Sequence, residues 1–248
     1  MDTNLLHYLP IISTVVATAF TIVLYRKWNE KRSARYLMWW MIGIALYGVG
    51  TFAEALTTLF GWSEPVFRLW YIAGALLGGA PLATGTVYLL LAKKTADRIA
   101  IALITYISIA AVLVLVTPLV LDLVEPNRLS GDVIAWRWVR LLSPLVNLYA
   151  VVFLIGGAIW SAWSYWKRGD AQSRVLGNIL IAVGAILPGI GGGFARAGVV
   201  EVLYVGELIG LILIWSGFRV ITRDDIRSIY DAQRTQGVAI AQPSTSHA

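Results

Sequence analysis

The sequence predicts an all-α integral membrane bundle of seven transmembrane helices, with the amino terminus outside and the carboxyl terminus in the cytoplasm. Three observations predict it. Hydrophobic residues make up 58% of the 248 and charged residues only 14%, well below the roughly 25% charged of a soluble domain, so lipid is the natural solvent for most of the chain. The apolar residues gather in seven runs, most of them close to the roughly 20 residues that cross a bilayer. Between the runs, basic residues cluster in alternate connections.

The first run, Tyr8–Tyr25, follows the acidic Asp2 and not the basic stretch that opens a cleavable signal peptide. Ala17-Thr18-Ala19 imitates a cleavage site, but the run continues to Arg26-Lys27, so a permanent helix is expected. Further spans are Tyr36–Phe60, Val66–Ala92, Ile99–Leu121, Val139–Tyr165, Val175–Ile190 and Val199–Ile221. The sixth is short and ends at Leu187-Pro188-Gly189, where proline bends or ends a helix. Gly189-Ile190-Gly191-Gly192-Gly193 then reads as a flexible turn. No strand-period alternation recurs at the spacing a barrel needs. The long connection Asp122–Trp138 holds two turn-like clusters, Glu125-Pro126-Asn127 and Ser130-Gly131-Asp132. Residues 1–222 are thus expected to form the transmembrane domain. Residues 223–248 read as a cytoplasmic tail, amphipathic at first and disordered around Gln242-Pro243-Ser244-Thr245-Ser246.

Orientation follows from the basic residues. Arg26, Lys27, Lys31, Arg32 and Arg35 follow span one; Lys93, Lys94 and Arg98 follow span three. Lys167, Arg168 and Arg174 follow span five, and Arg219, Arg223, Arg227 and Arg234 lie at the end of span seven and beyond it. The opposite side has only Arg68, Arg128, Arg137, Arg140 and Arg196, so the richer side is expected in the cytoplasm. Trp28, Trp39, Trp40 and Trp166 near one set of ends, and Trp62, Trp70, Trp136 and Trp138 near the other, suit headgroup anchoring.

Several function classes lose their support. The net charge of +6 is accounted for by topology, so nucleic acid is not an expected partner; the bilayer is. There is no cysteine, and the two histidines, His7 and His247, lie near the termini, which removes thiolate chemistry and bis-histidine haem. No cofactor or metal site is expected. Ser108, Ser143, Ser161 and Ser164 have no histidine base within the bundle, and no catalytic residue is assigned.

The polar residues inside apolar runs remain. Glu54 and Glu207 both fall in the outer half, roughly 9 Å below Phe60 and roughly 12 Å below Val199 at 1.5 Å per residue. Asn147 lies at comparable depth in span five. Acids at such depth face the bundle interior or a wet cavity. Arg68, Arg140 and Arg196 at the outer ends are the expected counter-charges, so these six residues form the predicted ligand-binding or buried polar cluster. Glu64 is a local competitor for Arg68, and Glu201 for Arg196. Gly206-x-x-x-Gly210 matches the small-residue packing pattern of membrane helices.

Seven helices with an outer amino terminus suggest the rhodopsin plan, but Val199–Ile221 contains no lysine for a retinal Schiff base. Trp39-Trp40-x-x-Gly43 through Glu54, then Arg68-x-Trp70-Tyr71 and Pro81, resemble the seven-helix membrane sensor modules at the amino ends of bacterial histidine kinases, over about a third of the chain. The resemblance implies a prokaryotic, multi-pass protein of the cytoplasmic (inner) membrane. Without a kinase or cyclase domain after span seven, it implies signalling through a separate cytoplasmic partner. The expectation is a sensor- or receptor-like protein that binds a small or lipid-like ligand in an outward-facing pocket, with homo-oligomers compatible. The alternative is a small-solute or ion- or proton-coupled transporter, and the third reading is a lipid-modifying enzyme.

Overall fold

The computed structural model describes residues 5–125, 128–169 and 172–240, with side chains through residue 223. It contains seven helices long and apolar enough to cross a membrane. They are α1 (Leu5–Glu30), α2 (Arg35–Phe60), α3 (Glu64–Leu90), α4 (Lys93–Val116), α5 (Arg137–Arg168), α6 (Gln172–Arg196) and α7 (Val200–Ile240). Among the described residues there is no strand, only the isolated bridges Leu119↔Ile134 and Glu125↔Arg128. Those bridges lie in the 117–136 connection, and the end of the bundle that carries it is here the loop end. The other end carries the connections Lys31–Ala34 and Leu91–Ala92, the latter followed directly by Lys93 and Lys94, and the turn after Arg168.

Most boundaries fall within a few residues of the hydrophobic runs. α1 starts earlier than its run because Leu5–Tyr8 adds a 3-10 turn. Pro10 then sits in the first helical turn, where its missing N–H leaves no bond unmade. α7 continues as helix through Ile240, so the start of the expected tail is an extension of the last span. Residues 241–248, including the stretch expected to be disordered, lie outside the described residues.

The sixth span corrects the sequence reading. α6 runs unbroken through Pro188 and the glycines 189–193 to Arg196, with no turn there. Pro188 leaves one helical carbonyl, that of Gly184, without its usual amide, and a membrane helix accepts this where a neighbour supports the backbone. The neighbour is α7. A Cβ added to Gly210 would stand 2.5 Å from the Gly184 carbonyl oxygen, and one on Gly217 would stand 2.5 Å from that of Gly177. A Cβ on Gly191 would meet Leu203 Cα at 2.6 Å. Gly177, Gly184 and Gly191 thus form a stripe with a seven-residue period that lets two antiparallel backbones touch in one register.

α3 and α5 both depart from α-helix midway. α3 passes from Glu64–Trp70 through a π segment, Tyr71–Leu76, into Ala80–Leu90, with Gly78 at φ 38° between the last two pieces. α5 has a π segment at Val151–Ile155. Such wide turns free backbone carbonyls and are common near functional sites.

The main core draws on six helices. Phe20 and Leu24 of α1, Trp40 and Ile44 of α2, Leu82 of α3, Leu154 of α5, Ile181 of α6, and Leu211, Ile214 and Phe218 of α7 are buried together. α4 stays at the periphery and turns Ile101, Ile104, Ile109, Val112 and Leu115 outward, the arrangement expected of a lipid-facing helix. A second cluster, around Phe67, Tyr71, Val114, Val133, Ile134 and Val139, seats the 117–136 connection on the loop end.

Candidate functional site

The site is built where α1, α2, α3 and α7 meet in the loop-end half. α1 and α2 run antiparallel and touch through small residues. A Cβ on Gly48 would lie 3.1 Å from that of Ala17, Thr14 Oγ1 and Thr51 Oγ1 share a hydrogen bond of 3.0 Å, and Thr58 Oγ1 donates to the His7 carbonyl at 3.1 Å. α1 and α7 run parallel. Phe20 stacks on Trp215 with centroids 5.2 Å apart, and further out His7 Nε2 meets Glu201 Oε1 at 3.0 Å. This register puts Ser13 level with Glu207, and puts Glu54 about one turn beyond Thr51 toward the loop end.

Glu54 and Glu207 lie against each other, within reach of a direct hydrogen bond once one carries a proton. Glu54 is only 4% exposed. Its Oε1 accepts from Trp70 Nε1 at 2.9 Å, so α3 ends its first α-helical piece on a residue that holds an acid of α2. Tyr47 of α2 donates its hydroxyl to the main-chain carbonyl of Glu207 at 2.8 Å. Three buried oxygens at this level have no hydrogen-bond partner: Glu54 Oε2, Glu207 Oε2 and Ser13 Oγ. Tyr204, one turn from Glu207 and 3% exposed, stands between the pair and the rim, where His7 packs edge-on to its ring at 6.1 Å.

Such a pair is costly to keep as two anions. Two unit charges about 4 Å apart repel by about 4 kcal/mol at an effective dielectric of 20. Each unsatisfied buried oxygen adds about 1–3 kcal/mol.

The expected arginines are elsewhere. Arg68 donates through Nε to Glu64 Oε1 at 2.8 Å, and through its two terminal nitrogens to the carbonyls of Val114 and Thr117. It therefore caps the C-terminal end of α4. Arg140 bonds Asp132 in the loop-end connection, and Arg196 is exposed at the end of α6. Asn147 is also apart from the acids: its Nδ2 donates to the Ala75 carbonyl at 3.3 Å, within the π segment of α3. Of the six predicted residues, the structure brings together Glu54 and Glu207 only. Glu201 Oε1 meets His7 Nε2 at 3.0 Å.

Sequence reasoning missed His7, Ser13, Trp70 and Tyr204 as members of the site. His7 is 194 positions from Glu201, and Trp70 carries the same signature as a headgroup anchor, so composition offered no sign of either. Ser13 was findable in part, as a hydroxyl on the buried stripe Pro10, Ser13, Ala17, Phe20, Leu24.

A separate groove of about 590 Å³ opens on the loop end, lined by Val120, Leu123, Glu125, Asp132, Ile134, Ala135, Arg137 and Arg140. Here the Ser130 hydroxyl, and after it the Arg140 guanidinium, hold the Asp132 carboxyl below the ordinary aspartate range against the opposing effect of burial. Arg128 ties the same connection to the Ala195 carbonyl at the end of α6. Glu54 and Glu207 do not line this groove.

No protein-family model, curated protein or solved structure matches the chain. The fold and the buried acid pair define a multi-pass helical membrane protein with a polar site inside its bundle.

Proposed function

We propose that the protein is a sensor-like membrane protein whose responsive site is the Glu54–Glu207 cluster and whose output element is α7. The loop end faces outward and the basic end faces the cytoplasm, by the excess of lysine and arginine on the latter. One observation carries the reading. Glu201 and Glu207 sit on the same unbroken helix that runs on to Ile240, well beyond its membrane-crossing part. A change at the acid pair would alter α7 at one end and present it differently to a separate cytoplasmic partner at the other. Signalling then needs only a two-state helix biased by its occupant.

The test uses the cysteine-free chain. Spin labels at Ser33 and Ala232 should give two distance populations whose ratio is changed by Glu207→Gln. A single population, identical in both proteins, contradicts the reading.

A second reading, proton- or ion-coupled transport, is favoured by the lack, among the described residues, of a basic side chain bonded to either acid. Proteoliposomes enclosing a pH dye separate the two. Flux above empty vesicles that is abolished by Glu207→Gln supports transport, and no flux supports the sensor.

A further inference from the structure

We propose that Glu54, Glu207 and Ser13 form a proton-binding site, in which the two carboxyls share one proton and the Ser13 hydroxyl serves the remaining carboxylate oxygen. This deepens the functional reading above by naming the occupant of that site, and it rests on that reading for its biological meaning only.

Four observations converge on it. The two acids come from different helices and lie against each other, so a proton on one is presented directly to the other. Each has one buried oxygen with no partner, which is the vacancy that a shared proton and a hydroxyl donor fill. Ser13, fully buried and equally without a partner, lies level with Glu207 in the register set by His7–Glu201 and Phe20–Trp215. A hydroxyl both donates and accepts, so it can follow whichever oxygen is ionised. Finally, among the described residues no cationic side chain is bonded to either acid.

Polar and titratable groups surround the pair on each packed helix. α1 contributes His7, at the rim, and α2 contributes Tyr47, whose hydroxyl is committed to a main-chain carbonyl. α3 contributes Trp70, a donor that never ionises here, and α7 contributes Glu201 and Tyr204. Arg128, at the loop end, bonds Ala195 and Glu125.

The same groups argue for a proton over a metal ion. The indole N–H of Trp70 points its positive edge at Glu54, where a metal ion would need an oxygen. Among the described residues no group of three or more acid, histidine or cysteine side chains is placed to hold a metal. The pair lies nearer the loop end than the basic end. His7 and Glu201, each about a quarter exposed (26% and 27%), lie at the rim, with Tyr204 between them and the pair. Glu201, Tyr204 and Glu207 recur every third residue along α7, so they share one side of that helix.

Infrared difference spectroscopy of the full chain in nanodiscs tests the assignment. Wild type, Glu54→Gln, Glu207→Gln and the double variant are titrated from about pH 5 to about pH 9, a range above the ordinary carboxyl value. Each titration is run in H₂O and D₂O, and in choline chloride and sodium chloride. The expected result is a deuterium-sensitive carbonyl stretch of a protonated carboxyl in wild type at neutral pH. It should shift in frequency in Ser13→Ala and in each single variant, and vanish in the double variant. Absence of the stretch from wild type throughout would overturn the proposal, and this reading needs no variant to fold. Persistence of the stretch in a folded double variant would also overturn it. Replacement of choline by sodium at fixed pH should leave the stretch unchanged; its loss would assign the site to a metal cation instead. Because the spectrum reports the proton and not the output, a correct spectrum with immobile α7 labels leaves the proton site standing and removes the sensor.

Discussion

Gly184 and Gly210 approach so closely that a Cβ on either would stand 2.5–2.6 Å from the carbonyl oxygen of the other. The Gly184 carbonyl is the one that Pro188 leaves without an amide, so the tightest helix contact coincides with the proline. Backbone on both sides means that nothing flexible can yield. Gly184→Ala or Gly210→Ala should therefore destabilise the bundle by about 1–3 kcal/mol, the usual cost of overpacking. Gly189→Ala is the control, since nothing lies within 4 Å of a Cβ there. It should be neutral or gain up to about 1 kcal/mol from helix propensity. Thermal melting of the three variants in detergent checks this, and equal effects at all three positions would contradict it.

The contrast shows what was legible. Apolar runs of spanning length are a strong signal, and all seven helices lie on them. Helix continuity through Pro188 and Gly189–Gly193 was not legible, because it depends on α7 supporting the freed carbonyl. A Pro-Gly cluster read alone says turn. The Gly206-x-x-x-Gly210 pattern does lie on the α6–α7 contact, with a Cβ on Gly206 meeting the Leu187 carbonyl at 2.9 Å. The longer period of Gly177, Gly184 and Gly191 becomes visible only once the two helices are known to be antiparallel neighbours.

Trp70→Phe keeps the aromatic volume and removes the N–H that Glu54 Oε1 accepts. Leaving a buried acceptor unpaired costs about 1–3 kcal/mol. The variant should melt lower by that amount, while Trp138→Phe, on an exposed residue, should not. Equal melting of Trp70→Phe and wild type would show that the indole is only a surface anchor.

The depth of Glu54 and Glu207 could be read from sequence, since position along a helix fixes it. Their partners could not, because helix rotation and neighbours decide those. Arg68 illustrates the limit: its position suggested a counter-charge for an acid, and it instead serves the carbonyls that end α4.

Asp132 supplies a pH dependence outside the spans. Its folded carboxyl lies below the ordinary range because of Ser130 and Arg140. A depressed carboxylate contributes stability that is full above its unfolded value, about 3.9. That contribution is lost as pH falls through the lower folded value. Protease nicking of the 117–136 connection should therefore be slow at neutral pH and rise only in strong acid. Asp132→Asn should flatten that dependence. A rise already near neutral pH would contradict it.

Sidedness can be read by thiol labelling in a chain without cysteine. Asp122 and Ser33 are exposed at opposite ends of the bundle. An impermeant maleimide on intact cells should label Asp122→Cys and spare Ser33→Cys. The reverse pattern would invert the orientation and place the acid pair toward the cytoplasm.

The central claim is that Glu54 and Glu207 act as one unit inside the bundle, and a double-mutant cycle tests it most directly. Thermal stability in nanodiscs is measured for wild type, Glu54→Gln, Glu207→Gln and the double variant at one neutral pH. Among the described residues no arginine is bonded to either acid, so neither single variant should show the loss of about 3–5 kcal/mol that follows removal of half a buried ion pair. The two effects should instead be non-additive by at least about 0.5 kcal/mol, as for side chains in contact. Additivity to within about 0.3 kcal/mol, the behaviour of distant independent sites, would contradict the account.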